Sequence, residues 1–367
     1  MRLVSDENFM RGALALARRG LGETAPNPSV GCVIVKDGRV IGRGRTQSGG
    51  RPHAETEALK AAGAAARGAT VYVTLEPCSH TGKTPPCAAA LVEAGVARVV
   101  IGTLDPNPKV NGQGVAMLRE AGVHVTENCL PKESLAVISG FLKVIDSGRP
   151  LLRLKLASSL DGRIATKTRE SKWLTGEPAR RAAHAIRGRH DAVLVGVGTV
   201  LADDPELNCR IEGFRAAPLV RIVVDSHLRT PLMSKLVRSA TVEPLWILHR
   251  DGADASRKRA LEQVGVKLFN LAGCAAGVDL PEAMKLLAKQ GLTRVLVEGG
   301  GTIAAGLLRD HLVDRLAWFH APAIIGGDGW PSTQGFGIMN LVDMPRFVPV
   351  AQERLGDDML STFRVAA

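Results

Sequence analysis

Three short segments constrain this chain of 367 residues more than any other feature: PHAE at 52–55, EPC at 76–78 and PC at 86–87. They carry His53, Cys78 and Cys87, residue types that bind zinc, and three protein ligands with a fourth position left to water make a catalytic zinc site. The spacing of apolar residues predicts helices over 54–66 and 87–94, so His53 and Glu55 stand at one helix start and Cys87 at another. A helix N-terminus favours the thiolate, the form of cysteine that binds a metal, and Pro86 suits the position just ahead of a helix. Glu55 need not bind the ion. Two residues past His53, it can reach a water on the metal and carry its proton. A lone histidine is ordinarily a core or surface residue, but His53, Glu55, Cys78 and Cys87 in this order point to a site.

The order His-x-Glu, Pro-Cys, Cys is that of the zinc enzymes that deaminate nucleobases. There the metal lowers the pKa of a water towards about 7, the hydroxide attacks the ring carbon bearing an exocyclic amine, and the glutamate passes the proton to the departing ammonia. Two residues usually separate the cysteines. Here eight do, SHTGKTPP at 79–86, and this polar, basic insert could hold a phosphate on the substrate.

The surrounding sequence alternates between helix and strand. A helix over 6–19 precedes strands over 30–35 and 40–41, joined by a tight Lys36-Asp37-Gly38-Arg39 turn. Strands over 70–75, 98–102 and 123–125 and a helix over 114–121 follow, which implies an α/β fold with a mostly parallel sheet covered on both faces. The turn-rich IDSGRP at 145–150 marks a boundary, dividing the chain into domains of 1–147 and 148–367. Beyond it, strands over 151–156, 192–197, 219–224, 244–248 and 294–297 accompany helices over 178–187, 256–263, 280–288 and 302–309.

No apolar run approaches the ~18 residues of a membrane helix. Asp6 and Glu7 stand where a secretory signal would be apolar, so the expected location is cytoplasmic, with no membrane partner. In that compartment six cysteines do not imply a disulfide framework. The net charge of +11 reads first as a solvated basic surface. Its scattered basic residues and the 4% aromatic content favour phosphate-bearing small molecules over nucleic acid as partners.

A second constellation lies late in the chain. VLVEGGG at 295–301, followed by TIAAG at 302–306, reads as an apolar strand, a glycine turn and a helix, whose backbone N–H groups suit a pyrophosphate. The G-x-G-x-x-A spacing fits at 299–304, but a Rossmann domain opens with this turn, and here only 61 residues follow Gly306. The glycines therefore argue for a phosphate cradle and against a Rossmann domain.

PNPSVG at 26–31, HAE at 53–55 and EPCSHTGKTPPC at 76–87 resemble the bifunctional deaminase–reductase family of riboflavin biosynthesis, which the long insert between the cysteines distinguishes from cytidine and tRNA-adenosine deaminases. KLASSLDGRIA at 155–165, SKWLT at 171–175 and GTVLADDPELNCR at 198–210 resemble that family's C-terminal reductase. The resemblance implies a cytidine-deaminase-like α/β/α domain followed by a dihydrofolate-reductase-like α/β domain, in which the glycine turn comes late. It implies one zinc ion per chain on His53, Cys78 and Cys87, with Glu55 as the catalytic residue, and NADPH as the second cofactor. The implied substrate is 2,5-diamino-6-ribosylamino-4(3H)-pyrimidinone 5′-phosphate. It is hydrolysed at the 2-amino group and then reduced from ribosylamino to ribitylamino, with hydride going to C1′ of the opened sugar.

By the same carry-over, Asn27, His80, Lys83, Asp105 and Asn107 contact substrate in the first domain. In the second, NADPH is held by Ala157, Trp173, Thr199, Asp203 and Ser226 and by the turn of Gly300, Gly301, Thr302, Ile303, Ala304, Ala305 and Gly306. Substrate there is held by Ser171, Arg187, Leu207, Arg210 and Glu298, with Lys155 orienting or polarising the sugar. Arg187 and Arg210 suit a phosphate, which a guanidinium grips with paired hydrogen bonds. Family members often have His at the position of Thr46.

Two other readings use the same residues. One is a nucleic-acid deaminase of the tRNA type with the second half as a binding domain; charge suits it, while the insert, the few aromatics and the glycine cradle oppose it. The other is a non-catalytic protein whose structural zinc is closed by His80 as fourth ligand. The preferred reading expects a phosphorylated pyrimidine as partner, no nucleic acid, and is compatible with a homo-oligomer.

Overall fold

The computed structural model describes residues 5–80, 85–107, 111–274 and 277–366. The backbone separates into two compact units, Met1–Ser147 and Gly148–Ala367. Among the described residues no helix is long and apolar enough to cross a membrane.

The first unit runs α1 (Asp6–Arg19), β1 (Gly31–Lys36), β2 (Arg39–Arg45), α2 (Ala54–Ala62), β3 (Thr70–Val73), α3 (Cys87–Glu93), β4 (Arg98–Ile101), α4 (Gln113–Glu120), β5 (His124–Thr126) and α5 (Pro131–Ser147). Its sheet has the order β2-β1-β3-β4-β5. The expectation of a mostly parallel sheet holds for β3, β4 and β5 and not for β1, which runs against both of its neighbours. The cause is the Asp37-Gly38 turn, with φ of 51° and 73°, which folds β2 back along β1. The crossover through α2 then returns the chain parallel to β2 on the far side of β1. One face of the sheet packs on Ala54 and Ala58 of α2, Ala88 and Leu91 of α3 and Leu118 of α4. The other packs on Met10, Leu14 and Ala17 of α1 and Val137 of α5.

Two glycines settle α2 against the sheet. A Cβ on Gly44 would come 2.1 Å from the carbonyl oxygen of Ala54, and one on Gly42 would come 2.4 Å from that of Ala58. Helix and strand thus meet backbone to backbone, and the approach fixes the N-terminus of α2, where His53 and Glu55 stand. Gly44→Ala is expected to push α2 off β2, to cost about 1–3 kcal/mol of stability and to lower bound zinc. Urea unfolding together with metal content checks this, and an unchanged midpoint with full zinc would refute it. The helix expected over 54–66 stops at Ala62 because Gly63 leaves the helical region at φ 55°, and Gly63–Ala66 forms a 3-10 turn. Helix α5 was not expected. Its periodic face includes buried Val137 and Ile138 and carries the chain to Ser147, inside the turn-rich patch.

The second unit begins with β6 (Leu151–Ser158), β7 (Arg163–Ala165), α6 (Glu177–Gly188), β8 (Ala192–Gly196), α7 (Val197–Asp203), β9 (Val220–Val224), α8 (Lys235–Arg238), β10 (Leu245–Arg250), α9 (Ala255–Gln263) and β11 (Lys267–Leu271). It continues with β12 (Gly273–Cys274), β13 (Gly277–Val278), α10 (Leu280–Lys289), β14 (Arg294–Glu298), α11 (Gly301–Arg309), β15 (Arg315–His320), β16 (Trp330–Pro331), β17 (Phe347–Leu355) and β18 (Asp358–Val365). Its large sheet has the order β11-β10-β9-β8-β14-β6-β15-β18-β17, parallel from β11 to β15, with β18 and β17 antiparallel at the edge. Strand β6 shows how the faces divide. Leu152, Leu154 and Leu156 enter one core with Val295, Val297 and Leu307, while Ala157 lies on the opposite face with Ile186 of α6. Strands β15, β17 and β18 went unforeseen; β17 is mostly exposed, so it lacks the apolar alternation that marks a strand.

Candidate active sites

In the first unit the three ligand-type residues converge. Nδ1 of His53 lies 3.3 Å from Sγ of Cys87 and 3.7 Å from Sγ of Cys78, and the three candidate ligand atoms all lie within 4.8 Å of one another. Tetrahedral zinc with bonds of about 2.0–2.3 Å requires S···N edges of roughly 3.5 Å, so these residues fit the ion. His53 caps α2 in extended backbone and Cys87 opens α3, whose first amide donates to Sγ of Cys78 at 3.4 Å. The thiol hydrogen bond from Cys87 draws the pKa of Cys78 down to about 4, with His53 assisting against burial, while that bond, burial and Glu55 push Cys87 up. A divalent cation bound by both sulfurs would take the place of their protons. Glu55 is buried beside them, and burial raises its carboxyl to about 7, a value matched to proton transfer near neutral pH.

A second buried carboxylate escaped the sequence reading. Oε1 of Glu76 accepts from the amides of Gly114 and Val115 at 2.9 and 3.2 Å, and Oε2 from those of Asp105 and Gly112 at 3.0 Å each. Glu76 thereby ties the segment carrying Asp105 and Asn107 to the one carrying Cys78. Asp105 caps the amide of Asn107 at 2.9 Å, and burial raises its pKa, with His80 acting against the rise. Asn27 donates from its side chain to the carbonyl of Gly50 at 2.9 Å, where a Cβ would strike it. Thr46 accepts from the amide of Val30 at 3.0 Å and donates to the carbonyl of Pro28 at 3.3 Å, so it closes a loop. His80 is exposed. Lys83 lies outside the described residues.

In the second unit the candidate residues gather at the carboxyl ends of the strands. Lys155 of β6 pairs in register with Glu298 of β14, and its Nζ lies 3.9 Å from that carboxylate. Arg187 of α6 donates to both oxygens of Glu298, at 2.5 and 2.9 Å, and to the carbonyl of Asn208 at 2.6 Å. The fork of Arg187 is therefore committed to Glu298, contrary to its expected use on a phosphate. Burial works to raise the pKa of Glu298, but the charge and hydrogen bonds of Arg187 prevail and hold it at about 2. Burial lowers that of Lys155, with Glu298 opposing. Arg210 is different. Among the described residues, the polar partners of its largely exposed side chain are Glu206 at 3.5 Å and Nε2 of His184 at 3.3 Å.

The glycine turn stands after β14 as expected. Gly299 and Gly300 take φ of 78° and 86°, and Cβ atoms there would lie 3.4 and 3.5 Å from Oγ1 of Thr199, so turn and threonine abut. Gly301, Thr302 and Gly306 lie on α11, while Ile303, Ala304 and Ala305 are buried in the core and the amide of Ala304 donates to the carbonyl of Gly300 at 3.0 Å. Leu207 is likewise a core side chain, with φ of 57°. Ser226 meets the backbone of Gly277, where a Cβ would be 2.6 Å from its Oγ. Trp173 is 68% exposed beneath the guanidinium of Arg180, Ser171 is exposed, and Lys172 reaches Asp203 at 3.5 Å. Ala157 sits at the end of β6 in register with Phe319.

Comparison with known proteins agrees with both halves. Residues 3–103 match the model of the cytidine and deoxycytidylate deaminase zinc-binding region, and residues 150–361 match the RibD C-terminal domain. The riboflavin biosynthesis protein RibD of Bacillus amyloliquefaciens is 40% identical over 358 residues, spanning 97% of this chain and 95% of that protein. That of Escherichia coli is 39% identical over 367 residues, spanning 97% and 98%. Among solved structures, Acinetobacter baumannii RibD superposes with a TM-score of 0.87 at 37% identity, over 99% of each chain. The Thermotoga maritima diaminohydroxyphosphoribosylaminopyrimidine deaminase/5-amino-6-(5-phosphoribosylamino)uracil reductase gives 0.86 at 35%, over 98% of this chain and 99% of that one. The first unit thus has a cytidine-deaminase-like fold and the second a dihydrofolate-reductase-like one.

Proposed function

Because the chain belongs to the RibD family, enzymes of riboflavin biosynthesis with a deaminase and a reductase domain, we propose that its first unit is a zinc hydrolase and its second an NADPH-dependent oxidoreductase acting in turn on one phosphorylated pyrimidine. The observation that carries this is the convergence of His53, Cys78 and Cys87 beside a buried Glu55. The match of residues 150–361 to the RibD C-terminal domain favours this reading over the tRNA-type alternative.

In the first unit, His53, Cys78 and Cys87 hold the metal, and zinc supplies the Lewis acidity that makes water nucleophilic near neutral pH. Glu55 takes the proton of the attacking water and returns it to the 2-amino group as that group leaves as ammonia. A carboxyl poised at about 7 can do both. Asn27, His80, Lys83, Asp105 and Asn107 bind the substrate around this centre, with Glu76 holding the last two in place. In the second unit, Ala157, Trp173, Thr199, Asp203, Ser226 and the turn at 300–306 bind NADPH, which supplies the hydride for C1′ of the opened sugar. Glu298 and Lys155 orient the sugar, Ser171 and Leu207 line its site, and Arg187 fixes the Glu298 carboxylate. Arg210, exposed and loosely held, grips the substrate phosphate.

One coupled assay tests the whole reading. Purified chain with its zinc quantified should release ammonia from the ribosylamino-pyrimidinone phosphate and then consume NADPH, and salt-dependent RNA binding without either activity would refute it. Arg210→Ala is expected to raise KM for the phosphorylated substrate about tenfold or more with little change in NADPH affinity. A loss of cofactor affinity instead would move Arg210 out of the substrate site.

A further inference from the structure

The amino ends of the strands in the second unit carry a charge pattern that the proposed chemistry does not use. Arg153 of β6 stands directly opposite Arg315 of β15, and Arg315 directly opposite Arg364 of β18. The face is fixed by alternation. Leu152, Leu154 and Leu316 enter the core under α10 and α11, while Leu296, Ala317 and Leu360 pack with α6, so the arginines share the α6 face. Three guanidinium side chains therefore start from adjacent strands about 4.8 Å apart. Arg294 adds a fourth on the same face, two residues before Leu296, the partner of Arg153. Like charges directly opposite on a sheet destabilise it.

The neighbouring acids are already used. Asp314 holds Arg149 at 2.7 and 2.9 Å and accepts the amide of Leu152 at 2.9 Å. Asp191 accepts from the amide and hydroxyl of Thr293 and from the amide of Arg294. Among the described residues, the side chains of Arg153, Arg315 and Arg364 make no hydrogen bond or ion pair, and Asp314, already held by Arg149, acts on Arg315 only at longer range. Burial lowers the pKa of Arg153 to about 10, with Arg294, Arg315 and Arg189 adding to the effect. His190 nearby is buried and held well below its ordinary value by burial and then by Arg153, Arg294 and Arg215, and its Nε2 has no partner.

We propose that Arg153, Arg315 and Arg364 form a binding site for a phosphate-class oxyanion at the amino ends of the strands, made of residues that the reductase site does not use. On β6 Arg153 lies two residues before Lys155, roughly 7 Å along the same face, and four before Ala157, roughly 13 Å. A tetrahedral oxyanion suits the row, because guanidinium groups pair with its oxygens and its charge offsets a repulsion that no carboxylate in the row offsets. This inference does not depend on which substrate the enzyme takes.

The test is thermal unfolding of the full chain in inorganic phosphate against chloride of equal ionic strength, followed by tryptophan fluorescence. Phosphate should raise the midpoint of the parent by several degrees. Arg315→Gln should raise the midpoint in chloride, by relieving repulsion, and lose at least half of the rise due to phosphate. Arg210→Ala, which removes the proposed substrate phosphate contact, should keep that rise. Arg364→Gln, at an exposed strand end, should repeat the loss and serves if Arg315→Gln does not fold. No effect of phosphate on the parent, or the same rise in parent and arginine-row variants, overturns the proposal.

Discussion

Glu55→Gln is expected to keep its zinc and to release ammonia about 10²–10⁴-fold more slowly, while NADPH reduction of pre-deaminated substrate continues at the parent rate. The amide preserves the size and the burial of the side chain at the N-terminus of α2, so His53, Cys78 and Cys87 should stay in place. It cannot accept and return a proton, the one task given to Glu55. Retained zinc separates this result from misfolding of the first unit, and surviving reduction shows that the second unit, which carries the reductase residues, is untouched. Deamination retained at the parent rate would remove Glu55 from the mechanism.

The second large effect is expected at Glu298. Its carboxylate is the shared partner of Arg187 and Lys155, all three largely removed from solvent. Glu298→Ala leaves two buried cations facing one another, and breaking a buried pair in this way costs about 3–5 kcal/mol. All four tryptophans, at 173, 246, 318 and 330, lie in the second unit, so their fluorescence follows its unfolding. The pH dependence has a definite sign. The folded pKa of Glu298 is about 2 against an ordinary 4.5, so its stabilisation is complete above 4.5 and fades as pH falls from there towards 2. The parent should therefore weaken across that window more steeply than Glu298→Ala does. A variant as stable as the parent, or parallel pH profiles, would show that the pair contributes nothing.

The zinc motif was legible because its chemistry needs particular residue types at particular positions, and His53, Glu55, Cys78 and Cys87 have few other reasons to occur in that order. The parallel strands of the second unit were legible for a simpler reason: β8 and β14 are buried along their whole length, and β8 and the 295–297 centre of β14 read as unbroken apolar runs. What escaped depends on distant partners. Glu76 looked like a flanking residue of the Cys78 motif, because the amides it binds lie 29 to 39 residues further on. Arg187 looked like a phosphate ligand, because nothing local shows that Glu298, 111 residues away, occupies its fork. The antiparallel setting of β1 was foreseeable in part, since Asp37-Gly38 signals a hairpin, although the side on which β3 adds is set by the crossover through α2. The signal for α2 resting on β2 was present as Gly42-x-Gly44, two glycines on one face of a strand.

The proposed deaminase chemistry requires His53, Cys78 and Cys87 to hold one metal ion with a position left open. Elemental analysis of the purified full chain and of Cys87→Ala reads this most directly. One zinc per parent chain and none in the variant is the predicted result, whereas a parent without zinc, or a Cys87→Ala chain that keeps it, would contradict the assignment.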